Sequence, residues 1–293
     1  MNALCGIILF FVFISSPVSG KIKVVTTITD LADFARQVGG DKVEVDHIVS
    51  GDQNPHFVDV KPSYMIKLKS ADVFLMIGME LELWAQQVID GSRNQRLDVV
   101  DLSRNISKLE IPDKIDASQG DVHRFGNPHY WLDPRNIRII VGDIAAALTR
   151  ASPVDEAVFQ ANARAYVAAI DSAIARWEDR MKPFAGSKVV TFHKSWPYLA
   201  QWIGIVVIDQ VEPKPGIQPS PSHTAALIQR IREVGVKAIL VEPFYDVSAP
   251  ELIAEATNAK VVRLATSVGG VNGANDYIST MNYNLTTLAN ALR

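Results

Sequence analysis

Six histidines, His47, His56, His123, His129, His193 and His223, are the side chains in this sequence best suited to chemistry near neutral pH. Imidazole gains and loses its proton in that range, and its neutral form is a preferred ligand for Zn²⁺ and related transition metals. Three of the six share a context. His56 stands in Asn54-Pro55-His56-Phe57, after a strand-like run and before a helical one. His129 stands in Asn127-Pro128-His129-Tyr130-Trp131-Leu132-Asp133-Pro134, again in the loop ahead of a helix. His193 closes the run Lys188-Val189-Val190-Thr191-Phe192-His193, just before Ser195-Trp196. The rigid proline before His56 and before His129 restricts the backbone that presents each ring.

The other three carry weaker signals. His47 lies inside a strand-like run, where a lone histidine is most often a hydrogen-bonded core residue. His223, in Ser220-Pro221-Ser222-His223, falls in the first turn of a helix and is expected at the surface. His123 follows Asp121-Val122 in a polar loop. It reads either as an outer metal-collecting group or as a solvated loop residue, the second being the plainer reading.

The elements around these residues must position them. In the first half, strand-like runs at Lys23–Ile28, Val43–Val49, Val73–Ile77 and Leu97–Leu102 alternate with helical stretches at Leu31–Val38, Pro62–Ser70 and Leu83–Ile89. The second half repeats the scheme, with strands at Lys188–His193, Ile205–Val211, Val236–Glu242 and Lys260–Leu264 and helices near Ser195–Ile203, Ser222–Val234 and Pro250–Thr257. Short apolar strands separated by helices are the mark of βαβ units and parallel sheets. The expected fold is therefore α/β, with two parallel-sheet βα lobes. Ligands of such sheets sit at the carboxyl ends of the strands, the edge where these histidines fall.

The join between the lobes predicts a long bridging helix. Ser152-Pro153-Val154-Asp155 reads as a helix start, with Ser as N-cap and Pro in the first turn. Apolar residues then recur at helical spacing from Val158 to Met181, and Pro183 ends the pattern. Such a rod is roughly 43 Å long and should limit hinge opening. A further helix from Asp133-Pro134 to about Thr149 precedes it. The expected division is a signal peptide at 1–20, an N-terminal lobe at 21–150, the bridging helix at 151–181 and a C-terminal lobe at 182–293. The signal peptide is inferred from the uncharged apolar run Gly6–Ile14 and the small residues after it.

Composition narrows the function. The chain has 293 residues, 48% of them hydrophobic, and 29 basic against 32 acidic side chains, which suits ordinary folded lobes and excludes a disordered chain. A net charge of −3 without a long basic run argues against binding nucleic acid. Cys5, the one cysteine, lies inside the expected leader, so an exported chain has neither a disulfide nor a thiolate metal site.

With these residues in view, the chain resembles the zinc/manganese-specific solute-binding proteins of bacterial ABC transporters. The resemblance runs over nearly the whole expected mature chain. It is carried by Asn54-Pro55-His56 with Lys61-Pro62-Ser63, and by Asn127-Pro128-His129-Tyr130-Trp131-Leu132-Asp133-Pro134, its most specific segment. Thr191-Phe192-His193, Glu212-Pro213-Lys214-Pro215-Gly216 and Val241-Glu242-Pro243 continue it. It implies His56, His129 and His193 as the first three metal ligands, in a cleft between the lobes. Two departures stand out. The loop ahead of the second ligand, Ile111–Phe125, is short and holds only His123. The stretch after the last strand, Leu264-Ala265-Thr266-Ser267-Val268-Gly269-Gly270, lacks the acid that supplies a fourth ligand in many relatives. Glu242 is the first candidate for that position and Asp246 the second, with water as the remaining choice; Glu242 equally fits an outer residue that orients an imidazole.

The resemblance thus implies a periplasmic, monomeric binding protein of a metal importer. It would capture Zn²⁺ as cargo, Mn²⁺ being the harder and less suited ion, and pass it to an ABC permease in the inner membrane. The alternative is a secreted zinc hydrolase, since three histidines and a water also make a catalytic site. Against it, the chain has no His-Glu-x-x-His pair and no Gly-x-Ser-x-Gly turn around Ser195.

Overall fold

Alternation of β-branched runs with amphipathic stretches produces two four-stranded sheets in the computed structural model, which describes residues 20–114, 123–214 and 216–293. The expected signal peptide, apart from Gly20, lies outside the described residues. Strands β1 (Ile22–Ile28), β2 (Val43–Val49), β3 (Val73–Met76) and β4 (Asp98–Asp101) form the first sheet in the order β2-β1-β3-β4, every pair parallel. Strands β5 (Lys188–Thr191), β6 (Val206–Gln210), β7 (Ala238–Val241) and β8 (Lys260–Arg263) form the second in the order β6-β5-β7-β8, again all parallel. The shared order makes the chain reverse direction across each sheet, between β1 and β3 and between β5 and β7. Loops leaving the carboxyl ends of those strands diverge there and open a crevice. Burial follows from helices covering both faces: β7 is buried at every residue and β1 at all but one.

Helices α1 (Thr29–Gly39), α2 (Pro62–Lys69), α3 (Ala85–Ser92) and α4 (Ile137–Ala151) serve the first lobe. The second has α6 (Pro197–Ile203), α7 (Pro221–Val234), α8 (Ser248–Thr257) and α9 (Tyr277–Leu292). Between them α5 (Glu156–Met181) runs unbroken for 26 residues, about 39 Å at the α-helical rise. Its buried stripe, Phe159, Ala163, Tyr166, Ile170, Ala173, Trp177 and Met181, advances in steps of three or four residues along its length. The first half ties to the N-terminal lobe, where the Asn162 amide donates to the Val38 carbonyl at 3.0 Å. The second half ties to the C-terminal lobe, where the Trp177 indole donates to Asn282 on α9 at 2.7 Å.

Two local expectations differ from what is observed. Ser152 sits at the N-cap of a 3₁₀ turn, Pro153–Asp155, without a side-chain capping bond: its hydroxyl donates to the Asp155 carboxylate at 2.7 Å, and the α-helix starts only at Glu156. The C-terminal helix α9 was not foreseen. Its many Asn and Thr residues have weak helix propensity, yet Tyr277, Met281, Leu285, Leu288 and Leu292 form one buried stripe, and Asp276 with Ser279 makes a capping box. Tertiary burial overrides propensity there. The main apolar core is continuous from the first sheet through Trp131, Tyr166 and Trp177 to Trp196, Leu240 and Leu288. A smaller one, around Val190, Leu227, Ile239 and Ile253, fills the outer face of the second sheet.

Candidate metal-binding site

The two Asn-Pro-His segments fold alike. In the loop after β2, the Asn54 side-chain oxygen accepts the His56 backbone N–H at 3.0 Å. In the loop after β4, the Asn127 side-chain oxygen accepts the His129 N–H, also at 3.0 Å. Each is an Asx turn in which the intervening proline has no N–H to compete. The loop after β3 supports both. The Trp84 indole donates to the Pro55 carbonyl at 2.8 Å, and the Tyr130 hydroxyl donates to the Ile77 carbonyl at 2.8 Å. His193 emerges directly from the end of β5.

These elements bring His56, His129 and His193 into one buried cluster, with one potential ligand atom of each within 4.8 Å of the others. His56 Nε2 and His129 Nε2 stand 3.2 Å apart. Two nitrogens on one tetrahedral zinc, each at 2.0–2.1 Å from the ion, are about 3.3 Å apart, so this pair already has ligand spacing. Outer partners aim the rings. His129 Nδ1 lies 3.0 Å from the Asn127 oxygen, and His193 Nδ1 lies 2.7 Å from Glu212 Oε2. An oxygen acceptor assigns the proton to Nδ1 in each case and leaves the Nε2 lone pair as the acceptor, the one that on His129 meets His56 Nε2. Glu212 is itself held by the Gly216 N–H on its other oxygen, at 2.5 Å. Burial, and next the neighbouring His56 and His193, hold the His129 imidazole well below the usual histidine range, so it is neutral and ready to coordinate.

Glu242 is fully buried at the end of β7 but is not brought into the group of mutually close ligand atoms. Burial pushes its carboxyl up to about 7, against the pull of His193 and of Ser195. Ser195 is near enough to act electrostatically, yet among the described residues neither carboxylate oxygen has a hydrogen-bond partner. Asp246 is exposed and its carboxylate accepts the Ser248 N–H at 2.8 Å at the start of α8, which takes it away from the cluster. His47 lies within β2, and His223 Nε2 lies 3.0 Å from the Gln210 carbonyl, so both stand apart from the cluster. His123 departs from its plainer reading. Its ring centroid lies 5.1 Å from that of His56.

Residues whose roles the sequence left open are the ones that orient and close the site. Glu212 lies two residues beyond β6, the strand beside β5, where its backbone N–H donates to the Phe192 carbonyl at 3.1 Å. The Asn54 amide donates across the cleft to the Tyr245 hydroxyl at 3.3 Å, and the Asn127 amide donates to the Lys194 carbonyl at 2.8 Å. The same asparagines that shape the two histidine turns thus also join the lobes.

Comparison with known proteins follows the same lines. Residues 24–291 match the family described as zinc-uptake complex component A periplasmic, ZnuA. The chain is 26% identical over 289 residues to the metal ABC transporter substrate-binding lipoprotein FimA of Streptococcus parasanguinis, covering 95% of this chain and 91% of that one. It is 27% identical over 279 residues to the iron-binding protein YfeA of Yersinia pestis, covering 94% and 87%. A crystal structure of ZnuA superposes with a TM-score of 0.82 at 24% identity over 93% of this chain and all of that one. A manganese-bound periplasmic metal-binding protein from Candidatus Liberibacter asiaticus superposes with a TM-score of 0.77 at 23% identity, over 93% of this chain and 100% of that one. These last two likenesses concern the fold. With a family match spanning almost the whole chain, this protein belongs to the ZnuA family of metal ABC-transporter substrate-binding proteins.

Proposed function

We propose that this protein captures Zn²⁺ in the cleft between its lobes, with His56, His129 and His193 as ligands, and delivers it as cargo to a membrane permease. The observation that carries the reading is the convergence of three buried imidazoles with their Nδ1 atoms engaged on His129 and His193. Imidazole nitrogens suit zinc, whereas Mn²⁺ favours carboxylate oxygens, and no carboxylate belongs to the close group among the described residues. Glu212 fixes His193, and the fully buried Glu242 offsets the charge of the ion. Relatives named for zinc, manganese and iron share the family, so the ligand set of this chain is what argues for zinc.

Calorimetric titration of the metal-free protein tests this. One tight zinc site and much weaker manganese binding are expected. His56→Ala, His129→Ala and His193→Ala should each weaken zinc binding sharply, with His47→Ala and His223→Ala close to wild type. Glu242→Gln should cost on the order of 10–100-fold, the range for an outer residue, rather than the larger loss of a ligand. A clear manganese preference would overturn the zinc assignment.

A further inference from the structure

His56 has three imidazole neighbours rather than two. Its ring centroid lies 5.1 Å from that of His123, 5.2 Å from that of His129 and 5.1 Å from that of His193. This spacing has a meaning in coordination chemistry. With zinc–nitrogen bonds of about 2.05 Å and the ring centre about 1.1 Å beyond the nitrogen, imidazoles on one tetrahedral ion have centroids roughly 5.2 Å apart.

The backbone presenting His123 is held in place. The next residue, Arg124, donates its backbone N–H to Glu80 Oε2 at 2.8 Å and its guanidinium Nε to Glu80 Oε1 at 2.5 Å. The Gly126 N–H closes a turn on the His123 carbonyl at 3.3 Å. That turn needs its glycine: Gly126 has φ +102°, and a Cβ there would stand 2.7 Å from the Leu109 carbonyl. One residue further, Asn127 begins the turn that carries His129. The two histidines are therefore presented by consecutive turns of one loop.

Three imidazoles leave one corner of a tetrahedron open; no carboxylate of the described residues shares their close group, and His123, beside the His56 ring, stands just outside it. We propose that His123 fills that corner, making the cleft an all-imidazole site of His56, His123, His129 and His193. The proposal rests on the three-histidine reading above and adds a ligand to it. The His123 ring swings inward as the ion arrives, about the turn that Glu80 holds. Four neutral nitrogen donors favour zinc over manganese more strongly than three nitrogens and a water do.

Full-length protein carrying ¹⁵N-labelled histidine and loaded with ¹¹³Cd²⁺ gives a direct count of ligands. Four ring nitrogens should show splitting by cadmium, and one of these should vanish in His123→Ala. Zinc titration of His123→Ala and of His123→Gln should show a loss of at least about 10-fold, since even an outer partner of a ligand is worth that much. Glu80→Gln, which loosens the turn, should weaken zinc in the same direction by less. Three split nitrogens in the wild type, with unchanged zinc affinity in both His123 variants, would overturn the proposal and leave the three-histidine site standing. Loss of splitting from His56, His129 and His193 would instead sink the site as a whole.

Discussion

The His129 and His193 rings are aimed by what holds their other nitrogen. Glu212 accepts from His193 Nδ1 and is anchored in turn by Gly216, so the carboxylate fixes both the tautomer and the angle of the ring. Glu212→Gln keeps the shape and removes the charge. It should lower zinc affinity on the order of 10–100-fold while leaving the unfolding midpoint of the metal-free protein nearly unchanged, as paired calorimetry and denaturation would show. Proton competition belongs to the same scale. A histidine must be neutral to bind metal, so affinity should fall as pH drops below ~6. His129 is held low by burial and by its cationic-capable neighbours. A depressed histidine pKa means that protonation is resisted until the pH is well under the ordinary value, so His129 has no proton to release in mild acid. Zinc binding near pH 5.5, measured in buffers of differing ionisation enthalpy, should therefore release fewer protons than there are imidazole ligands. A release equal to the number of ligands would show that the empty site holds His129 protonated.

At the scale of elements, the site depends on loops that meet across the crevice. The loop after β2 carries His56 and touches the loop after β8 so closely that Gly51 has no room for a side chain. A Cβ there would lie 2.0 Å from the Val268 carbonyl oxygen and 2.6 Å from the Gly270 nitrogen, backbone atoms that have no rotamer to escape into. The loop after β8 is also held by the start of α1, where the Thr29 hydroxyl donates to the Val268 carbonyl at 2.7 Å. Gly51→Ala should thus destabilise the protein by roughly 1–3 kcal/mol, the cost of overpacking. It should also weaken zinc binding, because the loop it displaces carries His56, one of the proposed ligands. Denaturant unfolding with and without zinc would check both, and wild-type behaviour in both would mean that the loops can separate freely.

Across the whole molecule, α5 and the continuous core tie the two lobes together. The stripe from Phe159 to Met181 is buried against both halves, and the core that includes Trp131 and Trp177 has no break at the lobe boundary. Polar contacts add to this: Asp33 on α1 accepts the Tyr277 N–H at 2.9 Å, and the Tyr277 hydroxyl donates to the Trp131 carbonyl at 2.7 Å. A hinge through such a helix would have to break its backbone hydrogen bonds and its buried stripe together. Metal binding is therefore expected to act on the loops. Hydrogen exchange should show zinc-dependent protection in residues 50–61 and 123–136 and little change within α5. Protection changes concentrated in α5 would argue for a large hinge motion instead.

How much of this was legible in the residues follows from the range of the interactions involved. Periodicity is local, so the alternation of strands and helices, the parallel sheets and the long bridging helix could all be read from spacing, and His56, His129 and His193 could be placed at the carboxyl edge of their strands. Helix α9 could not, because its Asn- and Thr-rich sequence is a poor helix former that becomes helical by burying one stripe against α5 and the second sheet. Ser152 looked like a cap, but its hydroxyl found Asp155 instead. The three histidines were separately visible, whereas their 4.8 Å grouping was not, since it depends on how two lobes dock. Glu242 and Asp246 both carried the right charge at a plausible strand end; neither belongs to the group of close ligand atoms, and the Asp246 carboxylate accepts the Ser248 N–H at the start of α8. His123 was the reverse case, a polar loop residue by sequence whose neighbour Arg124 is tied to Glu80, 44 positions away. Residue type and spacing determine which groups could bind a metal, and only the packing of distant loops decides which of them face the same point in space.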